Sequence, residues 1–241
     1  MPAKFWIQKI ALGGLWLALV GYAFALAPPP QPDTATLIAH LSTGQWTDLN
    51  PWIVALFNVM GVWPVLYAVL ALRDGQDQTI PAWPFVAGTF ALGAFALLPY
   101  LILRQPVAHP TAPTTDSSPT ADPSLNKEKA GTQKRGQRSI WVTRGVGLGC
   151  GISILALLTY GLSQGNWADF VAQWQNSRFI HVMGLDFCLL CALFPILLGD
   201  DMARRHLQNP ALFWLVSLLP LVGPALYVTL RPPEIAEAQC P

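Results

Sequence analysis

The chain has 241 residues, 53% of them hydrophobic and only 11% charged, with ten tryptophans and a formal net charge of +1. Soluble domains carry about 25% charged residues, so the composition excludes an ordinary soluble protein and points to an all-α bundle in a membrane. The near-neutral charge supplies no basic surface for a nucleic-acid partner, and four cysteines in a chain of this length exclude a secreted disulfide scaffold.

From the N-terminus, Trp6 to Ala27 reads as a first span, preceded by Lys4 and stopped by Pro28 to Pro30. Lys4, Lys9 and Ala25-Leu26-Ala27 also have the layout of a signal peptide. The length of the apolar run, and the proline directly after Ala27, favour a retained helix. Asp33 is placed to cap a short interfacial helix over Ala35 to Leu41. A second span covers Trp52 to Leu72 and contains Asn58, Trp63 and Pro64. After a polar turn, Gly75 to Thr79, a third runs from Pro81 or Trp83 to Leu103, contains Pro99 and closes on Arg104. Proline inside a membrane helix frees a backbone carbonyl that neighbouring helices must satisfy, which argues for a packed bundle.

Residues 105–139 change to Pro, Thr and Ser followed by Lys127, Lys129, Lys134, Arg135 and Arg138, a composition that buries no core and reads as a flexible linker. The fourth span, Ile140 to Leu162, opens with Gly145, Gly147, Gly149 and Gly151. No strand precedes them, so they are not a nucleotide loop; their four-residue spacing admits a close neighbouring helix. Between Asn166 and Arg178, Trp167, Phe170, Val171 and Trp174 fall on one helical face, the pattern of an interfacial helix. A fifth span then runs from Phe179 to His206, and a sixth, with Pro220 and Pro224, from Ala211 to Leu230.

The fifth span holds the candidate chemistry. A carboxylate near a membrane-helix centre costs roughly 2.5–3.5 kcal/mol on insertion scales, so Asp186 is either a proton or cation site or the hydrogen-bond partner of a Trp, Tyr or His on another span. His181 lies about 140° round the helix from it and forms no dyad. Asn58 is the polar counterpart in the first half, suited to helix pairing. Cys188 and Cys191, one turn apart, are a potential dithiol, but without a thioredoxin-like setting they read better as small buried hydrophobes. Asp200, Asp201, Arg204 and Arg205 are spaced for two i,i+4 ion pairs just outside the membrane. No metal-ligand spacing, catalytic triad or phosphate loop stands out, so no catalytic residue, cofactor or metal is assigned.

Two halves of the chain are alike. Leu41-Ser42-Thr43-Gly44-Gln45-Trp46-Thr47-Asp48-Leu49 parallels Leu162-Ser163-Gln164-Gly165-Asn166-Trp167-Ala168-Asp169-Phe170, and both halves end in Tyr-x-x-x-Arg-x-Pro, at Tyr100 to Pro106 and Tyr227 to Pro233. The expected organisation is a three-helix repeat over 1–104, the linker over 105–139, a second three-helix repeat over 140–233 and a tail over 234–241. Three spans per half would invert the second repeat, an arrangement common in transporters. With about six crossings, one face holds Arg104, the linker cations, Arg144, Arg204 and Arg205, against Lys4, Lys9, Arg73, Arg178 and Arg231 on the other. That majority places the linker in the cytoplasm, while the flanks of the first helix favour the reverse.

LSTGQWTDLNP, PAWPF with FALLPYL, RFIHVMGLDFCLLCALFPILLGDDMARR and LLPLVGPALYVTLRPP together resemble an uncharacterised family of multi-spanning membrane proteins from cyanobacteria and plastids. The resemblance covers nearly all of the chain outside the linker. It implies a helix bundle in a thylakoid or plasma membrane and brings no activity with it. The sequence therefore favours a non-enzymatic scaffold, assembly or regulatory factor, in contact with membrane lipid and with another membrane protein or complex. A small proton- or ion-coupled transporter using Asp186 is the second reading, and a thiol redox protein using Cys188 and Cys191 the third.

Overall fold

The computed structural model describes residues 3–105 and 124–232, and among these the regular structure is entirely helical. Helix α1 (Ala3–Gly21) continues into a π-helical turn, Tyr22–Leu26. An interfacial helix α2 (Thr34–Thr43) ends on Gly44, whose φ of +80° makes the left-handed C-cap that glycine adopts without penalty. Asp33 occupies the N-cap position of α2, but its side chain makes no capping bond. Helix α3 (Pro51–Asp74) starts where the Asn50 side chain accepts from the Trp52 N–H, with Pro51 in the first turn. Two ten-residue helices follow, α4 (Trp83–Leu92) and α5 (Ala94–Leu103). The second half contains α6 (Ser124–Gln164), α7 (Trp167–Asn176), α8 (Arg178–Arg204), α9 (Pro210–Leu218) and α10 (Val222–Leu230). Four stretches are long and apolar enough to cross a membrane: Phe5–Leu26, Pro51–Asp74, Val142–Gln164 and Arg178–Arg204.

The stretches expected as the third and sixth spans are not continuous helices. Gly93 has φ +51° and ψ −127°, a conformation closed to side-chain-bearing residues, and it breaks the apolar run into α4 and α5. The two pieces fold onto each other, so that a Cβ added to Gly88 would stand 3.0 Å from that of Ala96. Their outer ends meet: the Gln78 side chain donates to the Gln105 carbonyl at 2.8 Å and accepts from the Gln105 N–H at 2.7 Å. Ten residues rise about 15 Å, half of a hydrocarbon core about 30 Å thick. The second hairpin is built alike. α9 and α10 turn through Leu219 to Leu221, Gly223 lies against the Val216 backbone, and Arg205 donates to the carbonyl of Pro232.

α3 and α8 lie side by side and run in the same direction. Ile53 and Val54 cluster with Ile180 and Met183 at one end, Tyr67 bonds the Leu190 carbonyl in the middle, and Asp74 pairs with Arg204 at the other end. This is the opposite of the inverted arrangement that three spans per half implies. α1 and α6 run the other way, α1 packed on α5 and α6 on α10 and α3. The bundle thus has a charged end, where α3, α5, α8 and α10 finish, and a tryptophan end carrying α2, α7, Trp46, Trp52 and Trp174.

Two other expectations change. α6 begins at Ser124, inside the stretch read as linker, because Lys, Glu, Gln and Arg after the last proline are good helix formers; residues 106–123 and the tail lie outside the described residues. Of the glycines in α6, Gly147 and Gly151 admit Thr229 and Ala225 of α10, whereas Gly145 and Gly149 face open space.

An added Cβ at Gly93 would lie 1.7 Å from the Asp186 carboxylate. Gly93→Ala therefore combines a forbidden backbone with a collision, and we expect a loss of about 2–3 kcal/mol or more, read as a lower thermal unfolding temperature in detergent.

Candidate functional site

Asp186 is 4% exposed, and what surrounds it is the tip of the first hairpin. Its Oδ1 accepts from the Ala94 N–H at 2.8 Å, and the Phe95 N–H faces the same carboxyl. These are the first N–H groups of α5, which have no partner inside their own helix. Gly93, at the N-cap position, has no side chain to offer, so a carboxylate from α8 does the capping and faces the positive end of the helix dipole. On the far side of α5, the indole of Trp16 donates to the Phe95 carbonyl at 3.0 Å. The aspartate singled out by sequence is thus joined neither to a ring nor to His181.

His181 sits about one and a half turns away in its own cage. Its Nε2 lies 2.9 Å from the Tyr22 hydroxyl, its Nδ1 lies 3.0 Å from the Trp174 carbonyl, and the Trp174 ring stacks on it at 4.2 Å. Tyr22 opens the π-helical turn, which places its hydroxyl toward α8. Asn58 donates to the Val54 carbonyl one turn back in α3 and so does not bridge helices through that bond. Cys188 is an exposed free thiol and Cys191 a half-buried one. Pro195 has no N–H for the Cys191 carbonyl, and at the adjacent carbonyl, Leu190, Tyr67 donates at 2.6 Å and ties this part of α8 to α3.

The charged end contains two clusters of one design. Asp74, 2% exposed, accepts from the Tyr100 hydroxyl, from Arg104 at 3.2 Å and from Arg204 at 2.9 Å. Asp201, 4% exposed, accepts from the Tyr227 hydroxyl at 2.7 Å, from Arg231 at 2.9 Å and from Arg205 at 2.8 Å. In both, the tyrosine follows the aspartate by 26 residues and the arginine by 30. Burial above all, with the neighbouring Arg205, holds the proton affinity of the Arg231 guanidinium below its ordinary value, against the opposing pull of Asp201. Of the two expected i,i+4 pairs, Asp201–Arg205 forms. Asp200 and Arg204 turn instead to Arg104 and Asp74, across the boundary between the halves, because those partners approach from the ends of α5 and α3. Tyr100, Arg104, Tyr227 and Arg231 had a sequence signal, the identical offsets from Asp74 and Asp201; the Tyr-x-x-x-Arg repeat alone did not say what they bind.

At the tryptophan end, Asn50 links the halves by donating to the Asn166 carbonyl and to Asp169, each at 2.7 Å. Among the described residues, no three His, Cys, Asp or Glu side chains converge as a metal site. No protein family, curated protein or solved structure matches the chain.

If Asp186 acts as a helix cap, Asp186→Asn retains an acceptor and loses under about 1 kcal/mol. Asp186→Leu strands two backbone donors in an apolar setting and loses about 2–4 kcal/mol. Thermal unfolding of the purified variants in one detergent measures the difference.

Proposed function

We propose that the chain is a non-catalytic integral membrane protein, a scaffold, assembly or regulatory factor that holds another membrane protein or complex in a photosynthetic or plasma membrane. The observation that carries this reading is the use of the ionisable groups: Asp186, His181, Asp74 and Asp201 are each buried and each spent on holding one helix to another. A transport site at Asp186 requires a wet crevice. The crevices at the charged end and at the tryptophan end do not include it. A dithiol mechanism requires Cys188 and Cys191 to act together, and they differ in exposure on α8.

The proposed architecture is two repeats in the same orientation, each with a span, an interfacial helix, a second span and a half-crossing hairpin. The matched Asp–Tyr–Arg clusters, the paired seams α1 on α5 and α6 on α10, and the parallel course of α3 and α8 support it. Two crossings per repeat return the chain to its starting face, which is why no inversion follows. Among the Lys and Arg side chains the structure describes, Arg178 alone then stands at the tryptophan end. The positive-inside rule supports a cytoplasmic charged end, with the linker on the same side.

Single cysteines at Gln78 and Gln105, in a background lacking the native ones, test the topology. A membrane-impermeant maleimide labels both from the same side of sealed vesicles; labelling from opposite sides would restore the continuous third span.

Purification from the native host in mild detergent tests the function. A discrete complex of fixed stoichiometry, kept in Asp186→Asn, is expected. A protein that runs alone and supports an Asp186-dependent proton or ion flux in reconstituted vesicles would replace this reading with transport.

A further inference from the structure

The pairing of the two halves leaves one seam open. α6 packs on both α10 and α3, whereas α1 packs on α5 and, among the described residues, forms no comparable seam with α8. At the charged end the gap widens into a crevice of about 150 Å³ whose lining includes Phe5, Lys9, Arg104, Ile196 and Asp200. The Lys9 ammonium stands 4.6 Å over the Phe5 ring and makes one long contact, 3.5 Å, to the Leu103 carbonyl. An ammonium has three donors, so a further acceptor fits. Arg104 is committed to Asp74 and Asp200, and the Asp200 side chain stays 26% exposed beside it.

From Ile196 toward the membrane centre, Ala192 and Cys188 follow at successive turns of α8, both exposed. The gap has a polar mouth at Lys9 and Asp200 and apolar walls at Phe5, Leu101 and Ile196, contributed by α1, α5 and α8. It closes at the tryptophan end, where Tyr22 meets His181. A crossing helix, about 10–12 Å across with its side chains, does not fit between walls joined in this way. A single acyl chain entering from the charged end does. Free phosphate would leave the apolar walls at Phe5, Leu101 and Ile196 uncovered.

We infer that this crevice binds one anionic phospholipid. Its phosphate sits on Lys9, a headgroup hydroxyl donates to Asp200, and an acyl chain lies along Ile196, Ala192 and Cys188. Basic pockets between membrane helices on the cytoplasmic side are established places for such headgroups.

The probe is phosphatidylglycerol competed against phosphatidylcholine on the delipidated full chain, with retained lipid read by native mass spectrometry. Wild type prefers phosphatidylglycerol, and Lys9→Gln loses about fivefold of that preference, the worth of one juxtamembrane cation. Lys9→Arg keeps it, and so does Arg73→Gln, which removes a cation at the same end away from the crevice. Bound phosphatidylglycerol also slows alkylation of Cys188 by a membrane-soluble maleimide. Equal retention of the two lipids, or equal losses in Lys9→Gln and Arg73→Gln, would overturn the site and leave only a general surface attraction. Protection of Cys188 by a second copy of the chain after lipid removal would overturn it as well. None of these results depends on whether the chain holds a protein partner.

Discussion

A backbone that stops being helical inside a membrane must find new partners for its N–H groups, and in this chain Asp186 provides them. Each unsatisfied group in hydrocarbon costs several kcal/mol, comparable with the roughly 2.5–3.5 kcal/mol of placing a carboxylate at that depth. The two costs offset one another: the start of α5 and the Asp186 carboxylate are each unfavourable alone and are joined by the Ala94 bond, with the Phe95 N–H facing the same carboxyl. Gly93 is the third part of the device, since a side chain there would occupy the space of the carboxylate. The second hairpin closes differently. Gly223 donates to Leu219 and Val222 to Pro220, so its turn satisfies its own N–H groups and α3 carries no aspartate at that level.

The hairpins are held at their bases by charge. Buried ion pairs break even only when the remaining donors and acceptors are also satisfied, and Asp74 and Asp201 each meet this with a tyrosine hydroxyl and two guanidiniums. Arg104 and Arg204 cross between the halves to Asp200 and Asp74, so the base of the first hairpin is tied to the ends of both α3 and α8. The halves are thereby locked in register at the charged end, as Asn50 locks them at the other.

Much of this was legible in the sequence, for identifiable reasons. Four of the six long apolar runs and the amphipathic face of 167–174 are local signals that became the expected helices. Asp186 stood out because a carboxylate in an apolar run needs an explanation; its partner did not, because a backbone N–H has no signature in sequence. Pro81 to Leu103 carries the hydropathy of a span, and only the backbone conformation of Gly93 distinguishes a hairpin from a crossing. A crossing there would reverse the second half and split the Lys and Arg residues between two faces. With α4–α5 and α9–α10 folded back, that conflict disappears.

The same restraints bear on motion. Alternating access requires one part of a bundle to rock or slide against another around a central site. Here the first hairpin is fixed at its tip by Asp186, at its base by Asp74 and Asp200, and at its open ends by Gln78 with Gln105. Sliding it along α8 would expose two backbone donors at one end and an unpaired guanidinium at the other before any new contact formed. The α1–α8 gap is where the bundle has least to lose, because little side-chain packing joins those helices between the crevice and Tyr22. Displacing α1 from α8 would alter the lipid-facing surface while leaving the bond between Asp186 and the Ala94 N–H in place.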